Sequence, residues 1–70
     1  MNRDAVKWST IRAIGYDPTT ATLEIEFHRR GTYQYEGVPE FLYRGLMLAD
    51  SKGEFFNSRI ANRYRHRDVR

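Results

Sequence analysis

The sequence predicts an α+β fold, a three-stranded antiparallel β-meander followed by one longer and one short α-helix packed on one face of the sheet. Three observations predict it. Residues 22–28 alternate between apolar and polar side chains, as a half-buried strand does. The turn sequence Asp17-Pro18 and the glycine at 31 separate this strand from two others that are rich in β-branched and aromatic residues. Beyond Pro39 the apolar residues recur at helical spacing.

Size and composition limit the classes of protein to consider. Seventy residues make one small domain, and four Phe, five Tyr and one Trp supply its core. The absence of cysteine excludes disulfides, thiolate zinc sites and a cysteine nucleophile. The polar N-terminus does not resemble a signal peptide, and the longest apolar run is the four residues 46–49. We therefore expect a soluble, cytoplasmic protein with no membrane association and no cofactor.

Positive charge is concentrated at the C-terminal end. The formal net charge is +3, but residues 1–54 carry seven Lys/Arg against eight Asp/Glu, whereas residues 55–70 carry five Arg against one Asp. Ten of the twelve basic residues are arginine, which makes bidentate contacts with phosphates and carboxylates. A basic end on a near-neutral body suggests an acidic partner, with nucleic acid as the first candidate. The alternative is a solvated, frayed terminus.

The first strand is predicted to contain a β-bulge. Apolar residues change parity near residues 11–14, and a bulge there turns Trp8, Ile11, Ile14 and Tyr16 inward together. The sequence Asp-Pro-Thr-Thr that follows is typical of a type I turn and closes the first hairpin.

The second hairpin is predicted to place two tyrosines on the apolar face of the sheet. Residues 29–31 (Arg-Arg-Gly) fit a three-residue loop with Gly31 in the left-handed conformation. Because side chains alternate along a strand, Tyr33 and Tyr35 then share a face with the apolar residues of the second strand. We therefore interpret both rings as mainly structural. The register implied by this loop pairs His28 with Thr32, Phe27 with Tyr33, Glu26 with Gln34, Ile25 with Tyr35 and Glu24 with Glu36.

The helices follow a break at residues 37–39. Pro39 is expected in the first turn of the longer helix, and Gly53 is expected to end it as a left-handed cap. Asn57 is the preferred N-cap of the short helix, and Ser51 is the alternative because Ser51-Lys-Gly-Glu matches a capping box. Gly45 suggests a close approach of helix and sheet. The predicted inward stripe of the longer helix is Val38, Phe41, Leu42, Gly45, Leu48 and Ala49.

Residues 8–64 contain an ordered set of short motifs, which are Gly15-Tyr16-Asp17, Leu23-x-Ile25-x-Phe27, Gly31, Tyr33-x-Tyr35, Val38-Pro39, Ser51-x-Gly53, Phe56-Asn57, Ile60 and Tyr64. This ordered set resembles the KTSC domain family. That family is named for an appendage at the C-terminus of some lysyl-tRNA synthetases and also includes free-standing short bacterial proteins. The resemblance assigns residues 1–64 to a single KTSC-like domain, leaves 65–70 as a basic, frayed tail, and implies RNA as a partner.

Two binding functions from different classes fit these observations. The first is non-specific, salt-sensitive RNA binding through an arginine patch, since the sheet face that bears Glu24, Glu26 and Glu36 repels phosphate. The second is a protein-docking module, for another protein or for a second copy of the chain, using Tyr43, Leu46 and Met47 or the free edge of the first strand. The arginines of the predicted patch are Arg29, Arg30, Arg59, Arg63, Arg65 and Arg67.

The sequence does not favour catalysis. Its two histidines, His28 and His66, are far apart in highly charged segments, and no phosphate-binding glycine loop or serine nucleophile motif is present. Glu24, Glu26 and His28 share one strand face, but successive side chains on a face stand about 7 Å apart, too far to bind one metal ion together. We predict no catalytic and no metal-binding residues.

Overall fold

A computed structural model describes residues 11–69 and confirms the α+β class, with one strand more than predicted. Trp8 lies outside the described residues. The four strands form one antiparallel sheet in the order β1-β2-β3-β4. The elements are β1 (Ile11–Asp17), β2 (Thr22–Phe27), β3 (Gly31–Tyr35), α1 (Glu40–Leu48), α2 (Lys52–Arg59) and β4 (His66–Val69).

The predicted bulge in β1 is confirmed. Its register against β2 shifts between Ile11 and Ala13, so that Ile11 is buried while Ile14 and Tyr16 pack against the core. Asp17 then begins the turn, accepting hydrogen bonds from the backbone N–H of Thr19 at 3.0 Å and from its hydroxyl at 2.6 Å. One extra residue is therefore enough to turn three apolar side chains of β1 to the same side.

The predicted register of β2 and β3 is wrong by two residues. Leu23 pairs with Tyr35 and Ile25 pairs with Tyr33, because the loop consists of residues 28–30 and Phe27 pairs with Gly31. Gly31 has a positive φ of 94°, as predicted, but as the first residue of β3. A two-residue shift leaves every side chain on its predicted face, so both tyrosines still face the apolar side.

The segment predicted to be a frayed basic tail contains a strand. Residues 66–69 form β4, which pairs with β3 and places His66 opposite Tyr35 and Arg67 opposite Gln34. The backbone N–H of Glu36 also donates to the carbonyl of Arg65 at 2.9 Å. Exposed charged residues suit an edge strand, because they discourage pairing with another chain.

The inward face of α1 differs from the prediction. Leu42 and Leu46 are buried, whereas Phe41 and Leu48 are 71% and 83% exposed. The prediction that Leu46 takes part in an external contact is therefore wrong, because its side chain is buried. Tyr43 is half-buried and stacks on Tyr16 with ring centroids 4.8 Å apart; Met47 does lie at the surface.

Two hydrogen bonds attach the start of α1 to the first hairpin. The Tyr16 hydroxyl donates to the carbonyl of Val38 at 2.6 Å, and the N–H of Val38 donates to the carbonyl of Ala21 at 2.9 Å. Burial raises the pKa of Tyr16, and the charges of Glu40 and Asp17 raise it further, so its hydroxyl keeps the proton that it donates. Pro39, with φ of −66°, is the N-cap residue of α1.

Ser51, not Asn57, caps the second helix. Its hydroxyl accepts a hydrogen bond from the N–H of Glu54 at 3.3 Å, and Asn57 lies exposed inside α2. Gly53 is a buried residue of the first turn of α2 and not a left-handed cap. A side chain on Gly45 would bring its Cβ within 2.8 Å of the Phe55 ring, so the close approach is between the two helices and not between helix and sheet.

One apolar core lies between the sheet and the two helices. In the described part of the chain, no helix is long and apolar enough to cross a membrane. The buried core residues are Ile11, Leu23, Ile25, Phe27, Tyr35, Val38, Leu42, Leu46, Phe56 and Ile60.

Candidate functional site

Aromatic rings meet at the β4 edge of the sheet, on the side that the helices cover. The exposed His66 ring lies 5.2 Å from the ring of Tyr35 and 5.6 Å from that of Tyr33. Strand pairing produces this arrangement, because His66 is directly opposite Tyr35 in the ladder. Tyr35 is only 6% exposed and packs edge-on against Phe56 of α2, with centroids 5.3 Å apart, whereas Tyr33 is half-buried. The two tyrosines therefore differ: Tyr35 belongs to the core, and Tyr33 lies at its border.

A cation lies at the other end of this row of rings. The guanidinium carbon of Arg30 is 5.0 Å from the centroid of the Phe27 ring, within the range of a cation–π contact. Phe27 in turn meets Tyr33 edge-on with centroids 5.9 Å apart. Arg30 is the last residue of the loop, directly before Gly31, whose φ is positive. We call these residues, Phe27, Arg30, Tyr33, Tyr35 and His66, the edge cluster.

The electrostatics of the edge cluster keep its buried hydroxyl neutral. Burial raises the pKa of Tyr35, which the positive charge of Arg30 opposes and the neighbouring Tyr33 reinforces. Tyr35 is therefore a neutral phenol at physiological pH, and the positive charge of Arg30 interacts with its hydroxyl group. The exposed groups that can meet a ligand are Arg30, His66 and part of Tyr33.

The six arginines predicted as a patch are all exposed but do not share one surface. Arg29 and Arg30 occupy the β2–β3 loop, beside the edge cluster. Arg67 lies on the opposite, open face of the sheet, where its Nη2 donates to Oε1 of Gln34 at 3.3 Å. The remaining three follow the second helix: Arg59 in its last turn, 5.5 Å from the Phe55 ring, Arg63 in the next turn, and Arg65 just before β4.

The open face of the sheet carries a polar groove with acidic walls. The groove has a volume of about 680 Å³, and its lining includes Asp17, Glu24, Gln34 and Arg67. The Gln34 amide links the two charged groups across the strands, donating from Nε2 to Oε1 of Glu24 at 2.9 Å while accepting from Arg67. Among residues 11–69, no group of three or more His, Cys, Asp or Glu residues is placed to hold a metal ion. His28 lies in the loop and not on the strand face beside Glu24.

Comparison with known proteins assigns the family. A family model described as the KTSC domain matches residues 8–64. The chain belongs to the KTSC domain family. A KTSC domain protein from Yersinia pestis has a similar crystal structure, with a TM-score of 0.85 and 47% sequence identity over 86% of this chain and 84% of that one.

Relatives of this KTSC domain occur both as short proteins and within a larger enzyme. A protein of Stutzerimonas stutzeri is 44% identical over 57 residues, which are 81% of this chain and 80% of that protein. A lysine–tRNA ligase of a Nostoc species is 36% identical over 61 residues, which are 87% of this chain but only 11% of the ligase. The same kind of domain is therefore found almost alone and as a small part of a tRNA ligase.

His66 is the residue of the edge cluster that sequence analysis missed. It lies in a segment with one apolar residue, Val69, so neither alternation nor β propensity marked a strand there. The sequence contains one indirect indication of β4: the Tyr-x-Tyr strand would otherwise be an unpaired edge of the sheet, and such edges are often covered by a further element.

Proposed function

We propose that this KTSC domain is a non-catalytic, cytoplasmic RNA-binding domain that contacts single-stranded RNA along the β4 edge of its sheet. The observation that carries the proposal is the edge cluster, in which an exposed imidazole and a half-buried phenol lie in contact, with a guanidinium close by. Proteins that bind single-stranded RNA commonly combine aromatic rings, on which bases stack, with arginines that meet the phosphates.

The charges around the sheet favour approach from this edge. Arg29 and Arg30 lie in the loop next to the edge cluster, and Arg65 lies just before β4. Arg67 lies on the open face, and Asp68 is the acidic residue of the strand. The groove on the open face, with its carboxylates, repels a polyanion. A strand of RNA that follows β4 therefore meets phosphate-binding groups without crossing the acidic face.

The family supplies a second, independent support. Three of the matched relatives are lysine–tRNA ligases in which the related segment makes up 10% to 11% of the protein. A binding role for RNA accounts for the presence of the same domain on a tRNA ligase and in short proteins. It assigns no reaction to the domain.

An NMR titration of the labelled domain with single-stranded RNA, an RNA duplex and tRNA tests the proposal. We expect the amide shifts to centre on Arg30–Tyr33 and Arg65–Asp68, and the affinity for single strands to exceed that for the duplex. If about three phosphates are neutralised, the logarithm of the affinity should fall with a slope of about −2 against the logarithm of the salt concentration.

Two substitutions separate the edge cluster from general positive charge. Arg30→Gln should weaken binding several-fold. Arg12→Gln, an exposed arginine on β1 at the opposite edge of the sheet, should not change it. Equal losses in the two variants would show that binding depends on net charge alone. No shifts at low salt with any of the three RNAs would remove the proposal.

A further inference from the structure

The first helix carries two large apolar side chains into solvent on one face. Phe41 and Leu48 are 71% and 83% exposed and are seven residues apart. Seven residues are nearly two helical turns, so the two side chains lie within about 20° of each other around the axis and about 10 Å apart along it. We call these two residues the α1 stripe. Met47, 41% exposed, points about 100° away from Leu48 and is not part of it.

The α1 stripe has no unpaired charge between its ends. Arg44 lies between Phe41 and Leu48, and both its Nε and its Nη2 donate to Oε2 of Glu40, at 3.1 and 2.9 Å. One acid and one base from the same helix therefore neutralise each other beside the stripe. Such a surface does not select a polyanion or a strongly acidic peptide. The stripe is complementary to another apolar surface on which the neighbouring charges also neutralise each other.

We propose that the α1 stripe is a dimer interface and that its partner is the α1 stripe of a second copy of this chain, packed antiparallel about a two-fold axis. In that arrangement Phe41 of one copy meets Leu48 of the other at both ends of the contact, as an isologous interface requires. A large ring then faces a smaller side chain at each end, which keeps the separation of the two helices constant. Antiparallel packing also sets the helix dipoles in opposition, whereas parallel packing aligns them.

The area of the α1 stripe predicts a weak dimer. Its two side chains expose on the order of 250 Å² of apolar surface. One partner of a standard stable interface buries roughly 800 Å². Even with a polar rim the contact falls short of that area, so the dimer should form only at high concentration.

The dimer leaves the edge cluster free. Tyr43 of α1 stacks on Tyr16 of β1, at one edge of the sheet, whereas the edge cluster lies at the opposite, β4 edge. Self-association and RNA binding are therefore separate properties, and neither proposal depends on the other. Two copies would present two RNA-binding edges in one particle.

Sedimentation equilibrium over a concentration series tests the dimer. We expect the average mass to rise from 8.3 kDa towards twice that value between about 10 µM and about 1 mM. Leu48→Glu and Phe41→Glu should each hold the mass at that of the monomer, since each places a charge against an apolar side chain of the second copy. Met47→Gln, a change of an exposed residue on another face, should dimerise like the wild type. Circular dichroism should show the same fold in all three variants, because all three positions are solvent-exposed.

Disulfide trapping tests the orientation, and the absence of native cysteine makes it direct. A mixture of the Phe41→Cys and Leu48→Cys variants should give mainly the mixed disulfide under mild oxidation. A mass that stays at 8.3 kDa at all concentrations would overturn the proposal. So would equal dissociation by Met47→Gln, or a preference for like-with-like disulfides. A monomer that binds lipid vesicles through Phe41 and Leu48 would overturn it as well and assign the stripe to a membrane.

Discussion

Replacement of Tyr35 by alanine is expected to destabilise the domain by about 3–4 kcal/mol. The side chain is 6% exposed. A buried aromatic side chain removes about 200 Å² from water, which at about 25 cal/mol per Å² is worth about 5 kcal/mol. A compact unfolded state lowers such values by roughly 10–40%. The remainder agrees with the range of about 3–5 kcal/mol for removal of a buried aromatic ring. For a domain of 70 residues, whose total stability is about 4–10 kcal/mol, this is a large fraction.

Urea denaturation followed by far-UV circular dichroism measures this loss. Tyr33→Ala is the matched comparison, because the second tyrosine is half-buried at the border of the core, and it should lose about half as much. If the alanine variant at Tyr35 is too unstable for a native baseline, Tyr35→Leu supplies an intermediate value. A loss below about 1 kcal/mol for Tyr35→Ala, or equal losses at both positions, would refute the assignment of one tyrosine to the core and the other to its border.

Two further predictions concern local hydrogen bonds. Ser51→Ala should lower the free energy of unfolding by about 1 kcal/mol, because the N–H of Glu54 loses its cap. Asn57→Ala, inside the same helix, should be neutral or slightly stabilising. The same urea titrations check both variants, and a larger loss at Asn57 would contradict the capping assignment. The hydrogen bonds from Thr19 lower the pKa of Asp17 below its ordinary value of 3.8, so the carboxylate stabilises the fold above that pH and this contribution disappears as the pH falls through the lowered pKa. The wild type should therefore exceed Asp17→Asn in stability at neutral pH, and the difference should shrink in urea titrations at about pH 3; a difference that grows on acidification would reverse the sign.

The alternation of side chains with a period of two predicted which face of the sheet each side chain occupies. It did not predict the register in which neighbouring strands pair. Alternation in β2 assigned its faces, and the parity change in β1 located the bulge. The register of β2 against β3 was wrong by two residues because a shift of two leaves every side chain on its face. Both registers leave a three-residue loop, residues 29–31 in the predicted one and residues 28–30 in the observed one. Loop length therefore does not distinguish them, and a positive φ at Gly31 is compatible with both.

The helices show the same limit at a period of 3.6. Both the pair Leu42 and Leu46 and the pair Phe41 and Leu48 have spacings that share a helix face, so periodicity alone cannot say which pair is buried. Tertiary packing decides it. Ser51 and Asn57 both have the side chain of an N-cap, and the geometry selects the first. The sequence could predict that Arg30 and the two tyrosines belong to the candidate site. It could not predict His66, because β4 has almost no apolar pattern.

The position of β4 in the chain has a consequence for the order of folding. The pairings of β1 with β2 and of β2 with β3 join strands that short turns connect, so they form at a small cost in chain entropy. The pairing of β3 with β4 must instead close a loop that contains both helices. We therefore expect β4 to dock last and to detach first in local unfolding. His66 joins the edge cluster only at that final step, so any ligand that touches His66 also stabilises the closed sheet.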